Sequence, residues 1–270
     1  KVKPVVTDDF AMEVSFNYTN NESMVVATND TDGNISLDEP RERNLRVTHI
    51  VGEQYGALYG TYFNRDDQGR IIHEMSQGYP RPSLNTSRKI LGFGVPPQQL
   101  GIGASFRYKD FNASFLVEGK AGGQIFSGTN LRLIGYGLHK MTVPAGGREA
   151  GFVPNGVLED GTPITQSLDY EQQQSYWGRY NDVAESGIYD SDYFRMRQMA
   201  IGYTLPSSLL EGTFIEAASV SLIGKNLFFI TNSAENVDPE SAYNNSNSAG
   251  LEFAGMPVPR TIGLNVNLKF

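Results

Sequence analysis

The sequence predicts an all-β protein and, within that class, an antiparallel transmembrane β-barrel. Three observations carry the prediction: strict alternation at the end of the chain, similar alternation in other segments, and an asymmetry between short and long connections. From Arg260 to Phe270, apolar and polar residues alternate without a break. Because the side chains of a strand point to opposite faces with period two, one face of this segment is wholly apolar. Its length of about ten residues suits a tilted strand that crosses a bilayer.

A single strand of this kind is equally typical of the edge of a soluble sandwich, so the rest of the chain has to separate the two architectures. Hydrophobic residues make up 39% of the chain and charged residues 19%, and no apolar run reaches the length of a transmembrane helix. The 29 glycines, 14 tyrosines and 15 phenylalanines favour tight turns and aromatic belts. The composition excludes a helical membrane protein and leaves a barrel open.

Charge and cysteine content exclude further classes. The net charge of -8 disfavours a nucleic-acid partner, because phosphate binding needs clustered lysine and arginine. The chain has no cysteine, which excludes disulfides, zinc–thiolate sites and thiol nucleophiles. Residues 1–6 lack the apolar region of a signal peptide, so we expect the signal peptide outside this chain.

Alternating segments predict about seven strands. Three short turns are expected, at 19–22, 109–110 and 204–214, and three long loops, at about 29–98, 120–191 and 231–259, with a short helix within 130–141. The expected strands are residues 10–18, 24–27, 100–108, 111–117, 193–203, 216–229 and 260–270.

The alternation of short turns with long loops favours the barrel. Loops of this length are uncommon inside a compact soluble domain, whereas outer-membrane barrels combine short periplasmic turns with long extracellular loops. Single-chain barrels have an even number of strands and at least eight. We therefore expect residues 1–270 to be the C-terminal segment of a larger barrel, with long loops outside the cell and aromatic belt residues beside the short turns: Tyr18, Tyr108, Phe111 and Tyr203.

Several motifs occur in an order that resembles the SusC/RagA family of TonB-dependent outer-membrane transporters. The resemblance covers most of the chain, from about Asp9 to Phe270. Its motifs are IVGEQYGALYG at 50–60, YDSDYFRMRQMAIGYTLP at 189–206, VSLIGKNLFFIT at 220–231, DPE at 238–240 and PVPRT at 257–261.

This resemblance implies an active importer, not an enzyme, without a cofactor. It implies a barrel of about 22 strands in the outer membrane of a Gram-negative cell. Expected partners are a SusD-like surface lipoprotein as a lid, TonB–ExbB–ExbD acting through a part not in this chain, the remaining barrel and plug, and outer-membrane lipid. A dimer of such SusCD pairs is also expected. Substrates would be oligosaccharides or peptides.

Candidate ligand contacts cluster in the second long loop, where Tyr176, Trp177 and Tyr180 accompany Arg179. Aromatic faces beside polar groups suit a sugar or peptide, but the same aromatics could pack the loop against its neighbours. The polar positions of the alternating strands predict residues that line the lumen or contact the plug: Glu13, Asn17, Arg107, Asn112, Ser114 and Glu118.

No metal site is predicted. Acidic residues at 30, 32, 38 and 39 follow turn signals, and residues 64–70 lack the alternating oxygen ligands of a calcium loop that many members of the resembled family carry. The terminal Phe270 is predicted to be a barrel assembly signal. The alternative function is a soluble extracellular β-module that binds or hydrolyses glycans, although no spacing of acids indicates a paired-carboxylate cleft.

Overall fold

A computed structural model describes residues 1–29, 33–38, 44–241 and 249–270. Within these residues most of the regular structure is β-strand, with two α-helices, α1 (Gly128–Gly135) and α2 (Tyr170–Gly178), and five short 3-10 helices. The strands are β1 (Val2–Val6), β2 (Phe10–Asn20), β3 (Asn34–Asp38), β4 (Leu45–Ile50), β5 (Ala57–Phe63), β6 (Ile72–Ser76), β7 (Tyr79–Pro82), β8 (Leu84–Phe93), β9 (Gln98–Tyr108), β10 (Phe111–Ala121), β11 (Gln124–Ser127), β12 (Val157–Leu158), β13 (Ile188–Asp190), β14 (Tyr193–Thr204), β15 (Ala217–Asn232), β16 (Leu251–Glu252) and β17 (Thr261–Lys269).

Seven strands form one antiparallel sheet, called the main sheet, in the order β1-β2-β9-β10-β14-β15-β17. The expected number is therefore found, but one member differs. Residues 24–27 were predicted as a strand, yet they lie outside the main sheet, and Val25 exchanges backbone hydrogen bonds with the turn at Gly52 and Glu53. The seventh strand of the main sheet is instead β1, in which Pro4 interrupts the alternation of apolar and polar residues. An edge strand tolerates proline because one side of its backbone is not paired.

The prediction of the first short turn was also wrong. Instead of ending in a turn at 19–22, β2 pairs with β9 over its full length, from Phe10 opposite Tyr108 to Asn20 opposite Gln98. The short connections are thus residues 7–9, 109–110 and 205–216, which lie at one end of the main sheet. Tyr18 consequently lies near the opposite end and not beside a short turn.

Three long connections leave the other end of the main sheet: the first at 21–97, the second at 122–192 and the third at 233–260. We call their described residues the loop layer. They were expected to be largely irregular, but they contain three small sheets, β3-β4-β5-β8, β12-β6-β7 and β13-β11-β16. The sequence did not reveal these strands because several are only two to five residues long and pair across the long connections.

Two buried clusters hold the loop layer together. One contains Phe63 of the first connection with Ile134 and Tyr176 of the second. The other joins all three connections, since Leu58, Phe126 and Leu251 share it. Burial of these side chains gives the layer its own hydrophobic core.

The helices begin at recognisable caps. Ser127 accepts a hydrogen bond from the Asn130 N–H at the start of α1, in the region expected to hold a short helix. Asp169 and Gln172 form a reciprocal capping box at the start of α2. In the described part of the chain, no helix has the length and hydropathy needed to cross a membrane.

Candidate functional site

The main sheet has one apolar face, formed by rows of residues that pair directly across six strands. Residues paired across neighbouring strands lie on the same face of a sheet. Ile201, Leu222 and Leu264 are 58, 54 and 69% exposed although all three are apolar. One complete row consists of Met12, Phe106, Ala113, Ile201, Leu222 and Leu264. Met12, Phe106 and Ala113 are half-buried, and the exposed part of the row, from β14 to β17, is typical of contact with a membrane or another apolar surface.

The adjacent row points to the opposite face and has the opposite character. It consists of Ala11, Arg107, Asn112, Gly202, Ser221 and Asn265. The division between the faces is therefore maintained from β2 to β17, as the alternation at the end of the chain predicts for a single strand.

All six residues predicted to line a lumen lie on this polar face. Glu13 shares a row with Ser105 and Ser114, and Asn17 shares a row with Gly101 and Glu118. The remaining two, Arg107 and Asn112, pair with each other. The register brings these side chains together; that the face surrounds a lumen stays a prediction.

A charged cluster joins this polar face to the third connection. Arg195 of β14 is 3% exposed and contacts Asp238 at 2.6 Å and Glu240 at 2.5 Å. Its guanidinium also lies 3.8 Å from the centre of the Phe229 ring. Two carboxylates and an aromatic face thus compensate for the burial of the arginine charge.

Arg197 extends the cluster across the sheet. Its guanidinium contacts Glu118 of β10 at 2.6 Å and Glu240 at 2.7 Å, and donates to Asn226 Oδ1 at 2.8 Å. The Tyr193 hydroxyl donates to Glu240 at 2.8 Å. Glu240 therefore receives donors from three residues of one strand, Tyr193, Arg195 and Arg197.

These contacts set the ionisation of Glu240. Burial alone would raise the pKa of its carboxyl group, but hydrogen bonds from Arg197 and Tyr193 and the charges of both arginines outweigh that effect. The pKa of Glu240 therefore lies below its ordinary value, and the group remains a carboxylate at neutral pH.

Asn226 belongs to the same charged cluster and lies at a local irregularity of β15. Its φ of 51° is in the left-handed region, which asparagine tolerates better than most residues. The pairing of β14 with β15 shifts register at this point. While Asn226 Oδ1 accepts from Arg197, its Nδ2 donates to the Pro259 carbonyl at 3.3 Å. The Val258 N–H donates to Asp238 at 3.0 Å, so both ends of the third connection meet here.

The cluster gives a physical role to four of the motifs. RMR supplies the two guanidinium groups, GKNLFFIT supplies the left-handed asparagine, DPE supplies the two carboxylates and PVPRT supplies the backbone partners. In the sequence these motifs were only marks of resemblance, and their contact with one another was not predicted. A signal in the sequence was the presence of two arginines at the start of β14 and of two acids in the third connection.

A second buried acid attaches the third connection to the second. Glu252 is 2% exposed and accepts hydrogen bonds from Ser127 at 2.7 Å and Thr129 at 2.6 Å. Both donors lie at the start of α1. Glu252 was not predicted as a site residue from the sequence.

The predicted ligand aromatics lie in the core. Tyr176, Trp177 and Tyr180 are 2, 6 and 8% exposed and pack against one another with ring centres 5.0–5.7 Å apart. Their ring faces serve the packing of the loop layer, which was the alternative interpretation. Arg179 is more open and lies 3.7 Å from Glu74. Stacking of a ligand on this group stays a prediction, and the burial of three of its members counts against it.

His73 belongs to the same core and is fully buried. Its Nδ1 lies 3.1 Å from the Ile71 carbonyl and its Nε2 lies 3.2 Å from the Tyr176 hydroxyl. Burial lowers the pKa of His73, so the neutral imidazole is favoured. Burial also raises the pKa of Tyr176, so this contact is a neutral hydrogen bond.

In the acidic turn at residues 64–70, the carboxylate of Asp66 is occupied by contacts within the turn itself. Asp66 accepts the backbone N–H groups of Gln68 and Arg70 and forms a 2.7 Å ion pair with the Arg70 side chain. Of the other acidic positions considered, residues 30, 32 and 39 lie outside the described residues.

Phe270 lies at the short-connection end of the main sheet. Its ring stacks on Phe214, with centres 5.6 Å apart and planes 15° apart, and both rings are exposed. A role of Phe270 in assembly stays a prediction.

Comparison with known proteins agrees with the resemblance seen in the sequence. No protein-family model matches the chain. The TonB-dependent receptor P3 of Formosa agariphila is 26% identical over 98% of the chain, which covers 27% of that receptor. Two structures of the RagAB peptide importer have TM-scores of 0.65 in the open-open state and 0.66 in the closed-closed state, at 16 and 14% identity.

Each of these two comparisons covers 99% of the chain, but only 27 and 28% of the larger chains. The chain thus spans little more than a quarter of the proteins it matches. Those proteins are receptors and transporters, not enzymes. The chain is therefore similar in sequence to a TonB-dependent receptor and shares the fold of part of the RagAB importer, in agreement with the SusC/RagA resemblance of its motifs.

Proposed function

We propose that the chain forms part of the wall of an outer-membrane importer, with the apolar face of the main sheet against lipid and the polar face towards the lumen. The observation that carries the proposal is the separation of the two faces over six paired strands. A soluble sheet would cover its apolar face, whereas Leu264 and Ile201 are largely exposed. Lipid removes that exposure without a further protein layer.

The main sheet is proposed to continue into a barrel of about 22 strands. Its outer strands, β1 and β17, each pair with one neighbour in the described structure. An unpaired backbone edge in lipid costs several kcal/mol per group. Further strands and a plug, outside residues 1–270, would close the wall and fill its lumen.

The loop layer is proposed to face the outside of the cell. Long extracellular loops and short periplasmic turns are the usual arrangement of outer-membrane barrels. The three long connections leave one end of the main sheet, which fits that arrangement. The charged cluster would hold the third connection near the mouth of the lumen.

The complete importer is proposed to take up oligosaccharides or peptides with a SusD-like lipoprotein as its lid. Energy would come from TonB–ExbB–ExbD, and two SusCD pairs could assemble as a dimer. The similarity to an importer named for two components, RagAB, supports the lipoprotein partner. No bond of the substrate needs to break, because transport requires only that the substrate has different affinities for the conformational states.

Cysteine labelling on intact cells tests the topology, since this chain has no native cysteine. Asp67→Cys in the loop layer and Asp110→Cys in a short connection are matched, because both positions are exposed turn aspartates. In the complete protein, a membrane-impermeant maleimide should label position 67 in intact cells and position 110 only after permeabilisation. Labelling of both in intact cells, or recovery in the soluble fraction, would contradict the proposal.

A further inference from the structure

A depression lies on the polar face of the main sheet, near the end from which the long connections leave. Its volume is about 310 Å³. Two neighbouring rows of paired residues line it, one with Asn17, Gly101 and Glu118 and the next with Thr19, Gln99 and Lys120. Because alternate residues of a strand share one face, the side chains of both rows lie on the side of the sheet that holds the depression.

The floor of the depression is open at Gly101. A Cβ atom at this position would meet only the Asn17 Cβ, at 3.8 Å, which is an ordinary contact. Gly103 lies two residues further along the same face and has no such room, because a Cβ there would lie 2.7 Å from the Ser15 Oγ. The missing side chain at Gly101 therefore leaves space that its neighbours do not fill.

Lys120 is a cation of this lining without a partner. Its side chain is half-buried, and in the part of the chain that the structure describes no hydrogen bond or ion pair holds its ammonium group. The other cation of the lining, Arg197, is engaged by Glu118 and Glu240. An ammonium group has three donors, so Lys120 can bind an acceptor on a ligand without losing an existing contact.

The acids of the lining are already engaged. Glu118 Oε2 lies 2.6 Å from the Arg197 Nε, and Glu240 accepts from Arg197 and from the Tyr193 hydroxyl. The charge left without a partner is therefore the positive charge of Lys120. The same two acids would repel a ligand with several negative charges, so the site suits a single one.

We propose that this depression binds one carboxylate at the end of a substrate chain, with Lys120 as its partner. Hydrogen bonds between an ammonium and a carboxylate are stronger than neutral ones, and the exposed Gln99 beside Lys120 offers a further donor. The volume is at the lower end of the roughly 300–1,000 Å³ of ligand pockets, which leaves room for a chain end. This inference rests on the proposed function, because the polar face must surround a lumen that the substrate enters.

Two kinds of substrate carry such a group: a peptide with a free carboxyl end and an oligosaccharide with a terminal acid sugar. Matched probes separate them. One pair is N-acetylated tetraserine with a free or an amidated carboxyl end. The other is cellotetraose and its analogue with glucuronic acid at the non-reducing end. Calorimetric titration of the complete detergent-purified protein should show that the acid of at least one pair binds about tenfold more tightly than its neutral partner.

Lys120→Gln tests the role of the charge. This variant should lose about tenfold in affinity for the acid probe and keep its affinity for the neutral one, so the preference within the pair disappears. Lys225→Gln is the matched control. Lys225 pairs with Thr261 on the polar face and lies outside the depression, so its removal should leave the preference unchanged.

Gly101→Leu tests the place of binding, because its side chain should fill the depression and weaken binding of the acid probe. The control is Gly263→Leu in β17, where a Cβ would meet nothing within 4 Å. Neither substitution creates a close contact at the Cβ, so both variants should fold, and heat-modifiable mobility on gels checks that they do.

Equal affinities within both pairs, no binding of either acid, or an acid preference that persists in Lys120→Gln would overturn the carboxylate site. Unchanged binding of the acid in a folded Gly101→Leu variant would do the same. A preference in the peptide pair alone would support a peptide carboxyl end, and a preference in the sugar pair alone would support an acid sugar. Correct topology in the cysteine experiment alongside any overturning result would leave the proposed importer standing, so the two failures are distinguishable.

Discussion

Arg195 and Asp238 form an ion pair of 2.6 Å between the main sheet and the third connection, with side chains that are only 4 and 3% exposed. The two residues are 43 positions apart in the chain. Asp238 also accepts the Val258 N–H, and Arg195 also contacts Glu240. Because this ion pair is buried and both of its residues have further partners, it fixes the position of the third connection relative to the main sheet.

Removal of one partner from this pair should be costly. Asp238→Asn keeps the shape of the side chain but leaves Arg195 with less compensating charge. Breaking a buried pair typically costs about 3–5 kcal/mol, and the second carboxylate at Glu240 places the expected loss at the lower end. Equilibrium unfolding of the purified protein in denaturant measures the loss.

The control is the ion pair between Lys269 and Glu216, whose side chains are 73 and 60% exposed. Glu216→Gln should change stability by less than about 1 kcal/mol, because water screens an exposed pair. Equal losses for Asp238→Asn and Glu216→Gln would show that the cluster does not anchor the connection.

The two faces of β17 allow a matched test within one strand. Leu264 lies on the apolar face opposite Leu222, whereas Asn265 lies on the polar face opposite Ser221. Leu264→Arg should destabilise the folded protein in lipid by about 2–4 kcal/mol if the position is near the middle of the bilayer. Asn265→Arg should have little effect because that side chain would meet water. Urea unfolding in lipid vesicles compares the two, and similar stability of the variants would remove the lipid-facing assignment.

The main sheet was largely predictable from local alternation, because each strand carries its two-face pattern in its own residues. The mistakes arose where that pattern is absent or misleading. Val2–Val6 contains a proline, and the polar residues at the end of Phe10–Asn20 were interpreted as a turn although they continue the strand.

The sites were less predictable because they depend on distant contacts. Tyr176 and Tyr170 lie on the same helix, yet Tyr176 is buried in the core and Tyr170 is largely exposed. Their aromatic character alone could not distinguish these roles. Pairing of Arg195 with Asp238 likewise depends on the path of the third connection, which local patterns do not determine.

The buried imidazole of His73 should make the loop layer sensitive to acid. Its folded-state pKa is lowered by burial from the ordinary value near 6.5, so the unfolded chain binds a proton more readily. The stabilising contribution is therefore present above the unfolded-state pKa and is lost as the pH falls towards the folded-state pKa. His139 adds to the effect, since burial also lowers its pKa.

Hydrogen exchange can measure this sensitivity. Amide protection in Tyr170–Gly178 should decrease between about pH 7.5 and about pH 5.5, after correction for the intrinsic exchange rate. His73→Gln should show a smaller decrease over that interval, because glutamine does not titrate there. An equal decrease in the parent and the variant would assign the acid sensitivity to other groups.

The stack of Phe270 on Phe214 allows the assembly role of the terminal residue to be separated from its packing. Both rings are exposed at the short-connection end, and an aromatic pair contributes about 0.5–1.5 kcal/mol. Phe214→Ala removes the stack but keeps the terminal aromatic, whereas deletion of Phe270 removes both. If Phe270 acts as an assembly signal, deletion should sharply reduce the folded protein in the outer-membrane fraction, while Phe214→Ala and Phe270→Tyr should leave most of it. Heat-modifiable mobility on gels and cell-surface labelling measure the folded amount. Equal reductions for the deletion and for Phe214→Ala would assign the effect to the stack, because the loss of the ring stack is the only change that the two variants share.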